Sequence, residues 1–169
     1  MKLNLVILFV GGYVILHLAV FDLMKRRLPN FLVGVFFFLF LLFVFGVQQF
    51  TWIQIGLHVL VALVTFVISA IFFALRWMGG GDVKLWTAVM LWAGPHLALP
   101  VVIITTLAGG ILGILGWLAA WRLRRAPQTF GRSFLRLISS DRGVPYGVAL
   151  ALAGLFVIYA YIPAVMRLN

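Results

Sequence analysis

The chain alternates long apolar runs with short polar or basic segments. Six apolar runs cover approximately residues 3–21, 31–47, 52–75, 83–93, 97–121 and 146–164. Five of them approach the length of about 20 residues that an α-helix needs to cross a bilayer. The alternating runs of about 10 residues that are typical of a transmembrane barrel are absent. The pattern predicts an all-α polytopic membrane protein with about six transmembrane helices, formed as a single domain over residues 1–169.

The fourth apolar run is unusually short, because only about 11 residues separate Val83 from Ala93. Either this helix begins inside the membrane, or its first turn includes the residues from Gly80 to Asp82. Both alternatives place Asp82 at or slightly below the membrane interface. The segment Gly94-Pro95-His96 is predicted to turn the chain before the fifth run begins.

Composition supports the membrane assignment and excludes several kinds of chemistry. Hydrophobic residues make up 65% of the chain and charged residues 9%, whereas soluble domains are about half apolar and about a quarter charged. The absence of cysteine excludes disulfides, zinc fingers and thiol catalysis. The first apolar run lacks a small-residue cleavage site and precedes a basic cluster, so we interpret it as a retained helix rather than a signal peptide.

Basic residues are distributed very unevenly between the two sides of the predicted bundle. Eleven of the 13 Lys and Arg residues fall on the side reached after the first, third and fifth helices: Lys25, Arg26, Arg27, Arg76, Lys84, Arg122, Arg124, Arg125, Arg132, Arg136 and Arg142. Only Lys2 and Arg167 fall on the other side. The positive-inside rule explains the net charge of +10 better than nucleic-acid binding does. It predicts cytoplasmic loops on the basic side, with both termini outside.

Acidic residues are scarce, since the chain has only Asp22, Asp82 and Asp141 and no glutamate. Each of the first two has a structural explanation: Asp82 suits a helix N-terminus, and Asp22 suits pairing with a base one turn later. The count of basic residues nevertheless places both on the cytoplasmic side at similar depth. Together they indicate function, while Asp141 is interpreted as a salt-bridge partner within a basic loop.

Two carboxylates that approach each other do not both ionise readily, so one retains a proton while the other acts as a base. This is the arrangement of an aspartic protease, which requires no metal and no cofactor. Adjacent glycines would let a substrate backbone approach closely. A phosphate-binding loop is disfavoured because its Lys-Ser/Thr ending is missing. The three histidines have no metal-ligand spacing and are interpreted as packing or interface residues. Tyr146 could hydrogen-bond within the site, but the interpretation as an interface anchor is preferred.

Two motifs bring these residues together. Gly79-Gly80-Gly81-Asp82, followed by Val83-Lys84-Leu85, has the form G-x-G-D, and the segment from Asp22 to Asn30 has the form D-x(4)-R-x-P-N. With six spans and cytoplasmic aspartates, the chain resembles the type IV prepilin peptidases, which are membrane aspartic proteases. Val144-Pro145-Tyr146-Gly147-Val148-Ala149 is similar to the last-helix motif of the short members that serve Tad/Flp pili.

The resemblance implies an enzyme of the cytoplasmic (inner) membrane that cuts the basic leader from prepilins or pilin-like proteins. By motif position, Asp22 and Asp82 would form the catalytic pair. The residues implied to bind substrate or support the site are Gly79, Gly81, Lys84, Pro29 and Asn30. Larger members carry an additional domain with paired cysteines and methylate the new terminus. Since this chain lacks those cysteines, peptidase activity alone is expected.

Two other functions fit parts of the pattern. A presenilin-type protease also uses G-x-G-D but cuts inside a transmembrane helix, and the motif around Asp22 disfavours it. A small transporter or channel could use the two aspartates as ion sites. Both acids are predicted near one face of the membrane, whereas a proton relay would require them in the middle of a span.

Overall fold

The computed structural model describes residues 2–46, 50–125, 139 and 145–167. Within these ranges the chain forms five α-helices: α1 (Lys2–Lys25), α2 (Asn30–Gly46), α3 (Trp52–Ala74), α4 (Gly80–Arg125) and α5 (Tyr146–Arg167). All except α2 are long and apolar enough to cross a membrane, and α2 is a shorter apolar helix of 17 residues. The predicted all-α membrane class is therefore confirmed. Asp141 and the segment 126–138, which contains Arg132 and Arg136, lie outside the described ranges.

The connection between α1 and α2 is determined by two residues with special backbones. Arg26 adopts a left-handed conformation with φ of 52°, and its amide donates to the carbonyl of Asp22 at 2.9 Å. A single bond of this kind closes the end of a helix. The carbonyl of Pro29 then accepts the amide of Val33 at 3.3 Å as α2 begins. The interruption before Pro29 agrees with the tendency of proline to disfavour helical backbone at the residue before it.

Helix α4 folds back on itself at Gly94. This glycine has φ of 58° and ψ of −168°, which is incompatible with an α-helix. In a straight helix Asp82 and Gly109 would lie about 40 Å apart and point in opposite directions. Both nevertheless line one cavity. The chain therefore reverses between a first arm, residues 80–93, and a second arm, residues 95–125.

This reversal confirms the predicted turn at Gly94-Pro95-His96. The fourth and fifth predicted helices are the two arms of α4, on either side of the non-helical Gly94. With α4 counted as one element, the described residues form five helices. The first arm begins at Gly80, so of the two alternatives for the short fourth run, the one that includes Gly80 to Asp82 is correct.

The break in α4 frees backbone carbonyls inside the protein, and neighbouring helices satisfy them. Pro95 has no amide hydrogen to donate to Leu91, four residues earlier. The Nδ1 atom of His58, in α3, lies 2.8 Å from the Leu91 carbonyl oxygen. Since a carbonyl can only accept, Nδ1 carries the hydrogen. The hydroxyl of Tyr161, in α5, donates to the Trp92 carbonyl at 2.9 Å. Irregular backbone at membrane depth requires such partners.

The same histidine explains why residue 94 is glycine. A Cβ atom at Gly94 would lie 2.4 Å from both Cε1 and Nε2 of His58. The positive φ of Gly94 independently disfavours any other residue. His58, predicted to be a packing or interface residue, therefore supports the break both by its hydrogen bond and by its shape.

Aromatic side chains pack the core around Trp92, which is fully buried. Its ring stacks on Phe36 at 5.4 Å between centroids and meets the edge of Phe40 at 5.5 Å. Its indole Nε1 donates to the carbonyl of Phe36 at 3.0 Å. Because Phe36 and Phe40 belong to α2, this cluster fixes α2 against the first arm of α4. The orientation of that arm determines where Asp82 lies.

Candidate active site

Asp22 lies in the last turn of α1 and is only 5% exposed. Its Oδ2 atom accepts a hydrogen bond of 3.2 Å from the amide of Val148, in the first turn of α5. The amide of Gly147 faces the same carboxylate. A carboxylate is favoured at a helix N-terminus, where amides lack partners within the helix. The start of α5 therefore holds Asp22 in a defined position.

This arrangement leaves no room for a side chain at residue 147. A Cβ atom on Gly147 would lie 2.8 Å from both Cγ and Oδ2 of Asp22. Real Cβ atoms essentially never come closer than 3.0 Å to another heavy atom. Gly147 thus permits the close approach of α5 to the carboxylate.

Asp82 is half-buried in the first turn of α4. The carbonyl of Gly79 accepts the amide of Val83 at 3.1 Å, which makes Gly79 the N-cap residue. Asp82 is the third residue after this cap, and its carboxylate faces the amide of Gly79. An acidic side chain that reaches back in this way is half of a capping box. The predicted structural role of Asp82 at a helix N-terminus is present in the fold.

The fold brings the two sequence motifs together. The carboxylates of Asp22 and Asp82 are close enough to repel each other electrostatically. The positive charge of Arg26 also acts on Asp22. Two acids separated by 60 positions in the sequence therefore share one site, where their charges are coupled.

Two further contacts join the same motifs. Lys84 donates through Nζ to Oδ1 of Asn30 at 3.0 Å. A Cβ atom at Gly81 would lie 3.1 Å from Cβ of Leu28, so the start of α4 packs tightly against the α1–α2 connection. Pro29 lies between these two contacts in the sequence. These residues connect the segments that carry the two aspartates.

The glycines before Asp82 have neighbours that their sequence did not predict. A Cβ atom at Gly79 would lie 2.9 Å from Oδ2 of Asp82, and one at Gly80 would lie 3.3 Å from the ring of Phe73. With Gly81 against Leu28, all three glycines meet atoms of the protein itself. In the fold they allow close packing around Asp82, and Gly79 also lines the cavity described below. That they admit a substrate backbone stays a prediction.

A cavity of about 990 Å³ opens beside Asp82. Its lining is mainly aromatic and apolar: Phe72, Phe73, Ala74, Arg76, Trp77, Met78, Gly79, Asp82, Trp86, Gly109 and Tyr146. Binding sites for small molecules typically enclose about 300–1,000 Å³ and combine an apolar lining with few polar groups. The cavity has both properties, and Asp82 forms part of its wall.

The end of α3 shapes one wall of this cavity. Arg76 has φ of 61°, its amide donates to Phe73, and the amide of Trp77 donates to Phe72, both bonds being 2.9 Å long. These two bonds form a Schellman motif. The rings of Trp77 and Phe72 lie 5.9 Å apart, which is the apolar contact that accompanies the motif. The cavity wall is therefore built on a regular helix ending.

Tyr146 belongs to the site, a role that the sequence left open beside that of an interface anchor. Its side chain lines the cavity and interacts electrostatically with Asp82. A Cβ atom at Gly109 would lie 2.8 Å from Cε2 of the tyrosine ring. Two signals in the sequence point to this contact: the Tyr-Gly pair in the last motif, and the glycines spaced along the second arm of α4.

Trp86 lies one helical turn after Asp82 and also lines the cavity. Its indole Nε1 is buried and has no hydrogen-bond partner among the described residues. A buried donor without an acceptor costs about 1–3 kcal/mol. As for metals, no group of three or more potential ligands occurs in the described ranges.

Comparison with protein families identifies the chain. The model of the type IV leader peptidase family matches residues 9–114, which is more than half of the 169 residues. The chain belongs to the type IV leader peptidase family. No curated protein and no solved structure gives a significant match. The family match includes Asp22 and Asp82 but ends in the second arm of α4, before α5 begins. Membership in a leader peptidase family assigns peptidase activity in general terms.

Proposed function

We propose that this leader peptidase is an aspartic endopeptidase that removes the basic leader from prepilins or pilin-like proteins, with Asp22 and Asp82 as its catalytic pair. The observation that carries the proposal is the convergence of these two acids beside a large apolar cavity. Both lie in the family-matched region, and they are the only acids among the described residues.

The reaction follows from the chemistry of a carboxylate pair that shares one proton. The ionised carboxylate accepts a proton from water, whose oxygen attacks the scissile carbonyl carbon. The protonated carboxyl donates its proton to the carbonyl oxygen, which gives a tetrahedral diol. The carbon–nitrogen bond then breaks as the leaving amine takes a proton from one carboxyl and the diol returns a proton to the other. Water is consumed, and no group outside the protein and substrate is required.

The cavity supports a peptide with an apolar segment as the substrate. Its lining is aromatic and aliphatic, and a pilin-like substrate offers an apolar stretch next to its basic leader. The indole hydrogen of Trp86 is a donor without an acceptor among the described residues. We propose that a backbone carbonyl of the bound peptide accepts it.

Placement in the membrane is part of the same proposal. We propose that α1, α2, α3, both arms of α4 and α5 provide six crossings of the cytoplasmic membrane, with both termini outside and the site facing the cytoplasm. The distribution of basic residues supports this orientation. Among the described basic residues, Lys25 ends α1 and Arg26 comes directly after it, Arg76 lies just after α3, and Lys84 lies two residues after Asp82.

Mass spectrometry of a co-expressed prepilin tests the function. Wild type should release the leader at one position next to the basic segment, and the new N-terminus should be unmethylated. Asp22→Asn and Asp82→Asn should leave the prepilin intact while still inserting into the membrane. Full cleavage by either variant contradicts the catalytic pair. Cleavage inside the apolar stretch would instead indicate a presenilin-type protease, and ion flux that depends on Asp82 without cleavage would indicate a transporter.

A further inference from the structure

We propose that the first turn of α5, formed by Tyr146, Gly147 and Val148, is a positioning element that sets the geometry of both aspartates. This inference rests on the proposed function, because it concerns the orientation of the same two acids. The family match ends at residue 114, so it assigns no role to this turn.

One side of the turn holds Asp22. The amide of Val148 donates to Oδ2 at 3.2 Å, and the amide of Gly147 faces the same carboxylate. Amides only donate, so Oδ2 serves as an acceptor and cannot offer a proton in that direction. A protonated oxygen can still accept a hydrogen bond, but the bond is stronger to an ionised oxygen. This contact therefore favours a position of the shared proton on the other oxygen of Asp22 or on Asp82.

The other side of the turn faces Asp82. Tyr146 interacts electrostatically with this acid, and both side chains line the cavity. The tyrosine ring is held against the backbone of Gly109, where a Cβ atom would lie 2.8 Å from Cε2 and 3.4 Å from Cδ2. An aromatic ring is rigid, so it cannot yield to such a contact without moving as a whole. Gly109 therefore sets the position of Tyr146 beside Asp82.

The turn thus connects three segments whose relative positions matter for the proposed reaction: α1 with Asp22, the first arm of α4 with Asp82, and the second arm of α4 with Gly109. A displacement of about 1 Å can lower a catalysed rate about 100-fold. Small changes in this turn should consequently affect catalysis more than substrate binding.

Glycine substitutions provide matched tests. Gly147→Ala places a Cβ atom 2.8 Å from the Asp22 carboxylate. Gly109→Ala forces the ring of Tyr146 to move. The controls are Gly34→Ala and Gly113→Ala, since a Cβ atom at either position meets nothing within 4 Å. Gly113 lies one turn after Gly109 in the same arm, so this control keeps the helix and changes only the contact.

The experiment measures kcat and KM for leader cleavage by purified, reconstituted full-length protein with a synthetic prepilin peptide. We expect Gly147→Ala to lower kcat about 100-fold and Gly109→Ala about 10-fold, with KM changed less than about 3-fold. Both controls should keep kcat within about 2-fold of wild type. Unchanged kcat in Gly147→Ala and Gly109→Ala overturns the positioning role, as does a rise in KM alone.

A second pair of variants covers the case in which Gly147→Ala fails to fold. Val148→Pro removes the amide that donates to Asp22 and, with it, the 3.2 Å turn bond to the carbonyl of Pro145, but no bond of the later helix turns. Val148→Ala keeps the amide and removes most of the side chain. Activity lost in Val148→Pro and retained in Val148→Ala supports the positioning role. Equal activity in the two variants contradicts it.

These outcomes are distinct from failure of the proposed function. If wild type cleaves and Asp82→Asn does not, the function stands whatever the turn variants do. If wild type does not cleave any prepilin, or if Asp82→Asn cleaves it fully, the function fails, and the positioning element fails with it.

Discussion

Two regions of the molecule place backbone or side-chain polar groups inside a largely apolar bundle. They differ in whether those groups have hydrogen-bond partners. At the break in α4, the freed carbonyls of Leu91 and Trp92 are satisfied by His58 and Tyr161. At the site, two acids are held close enough to repel each other, and the Trp86 donor has no acceptor among the described residues. One region completes its hydrogen bonds, and the other retains unsatisfied groups beside a cavity.

The difference separates polar residues that stabilise the fold from polar residues available for chemistry. Buried polar groups in proteins are almost always paired, so an unpaired one requires an explanation. At the break, the polar side chains of His58 and Tyr161 are explained by their hydrogen bonds to backbone carbonyls. At the site, capping and helix-end contacts explain how Asp22 and Asp82 are held, but they do not explain why two like charges are placed together. Variants should therefore affect stability at the break and activity at the site.

The largest effect is expected from the aspartates. Asp22→Asn and Asp82→Asn should each reduce leader cleavage by at least about 1,000-fold, equivalent to about 4 kcal/mol in the barrier, because an amide cannot exchange the proton. Their thermal unfolding midpoints in detergent should equal or exceed that of wild type, since the electrostatic repulsion is removed. A large loss of stability in both variants would show that the acids support the fold.

Gly94→Ala should have the next largest effect, and on stability instead of activity. Its Cβ atom would collide with His58 while the backbone keeps a positive φ. We expect a loss of about 3 kcal/mol, measured by thermal or denaturant unfolding in detergent. Gly56→Ala is the control, because a Cβ atom there meets nothing within 4 Å. Equal stability of the two variants would contradict the close fit at the break.

Tyr161→Phe should produce a smaller loss at the same place. The variant keeps the ring but leaves the Trp92 carbonyl without its hydroxyl partner, which should cost about 1–2 kcal/mol. Tyr159→Phe is the matched control, because Tyr159 is 68% exposed on the same helix. Cleavage by both variants should remain near the wild-type rate once the difference in folded fraction is corrected. If the two variants unfold at the same temperature, the hydroxyl does not stabilise the break.

Arg76→Gly should have the smallest effect and the opposite sign. Arg76 adopts a left-handed backbone that costs a non-glycine residue about 1 kcal/mol, so the variant should be slightly more stable than wild type. Arg124→Gly, at an exposed position within α4, should instead lose about 1 kcal/mol. Comparison of the two melting temperatures measures the strain at Arg76. A loss in both variants would indicate that the conformation of Arg76 is unstrained.

Much of this architecture could be predicted from the pattern of residues. The apolar runs located all five helices, and Gly94 with Pro95 indicated the reversal because both residues oppose a continuous helix. The scarcity of acids directed attention to Asp22 and Asp82, which the fold does bring together. Their catalytic role and the orientation of the site remain predictions.

What the pattern could not show depends on contacts between helices. The sequence shows only that a glycine has no side chain. Its role depends on which atom of the protein lies against it, such as the Phe73 ring at Gly80. The same limit explains Tyr146: an aromatic residue at a helix end fits a membrane interface equally well. Its position beside Asp82 follows from the approach of α5 to both arms of α4, which a one-dimensional pattern does not contain.

The contacts between the α1–α2 connection and the start of α4 have a consequence for how such enzymes diverge. Leu28 lies where a side chain on residue 81 would extend, and Asn30 accepts a hydrogen bond from Lys84. A change at either member of these pairs alters what its partner can be. Positions 28 and 81, and likewise 30 and 84, should therefore covary among relatives. A chimera that exchanges residues 1–46 between two relatives should lose activity unless both pairs are exchanged together.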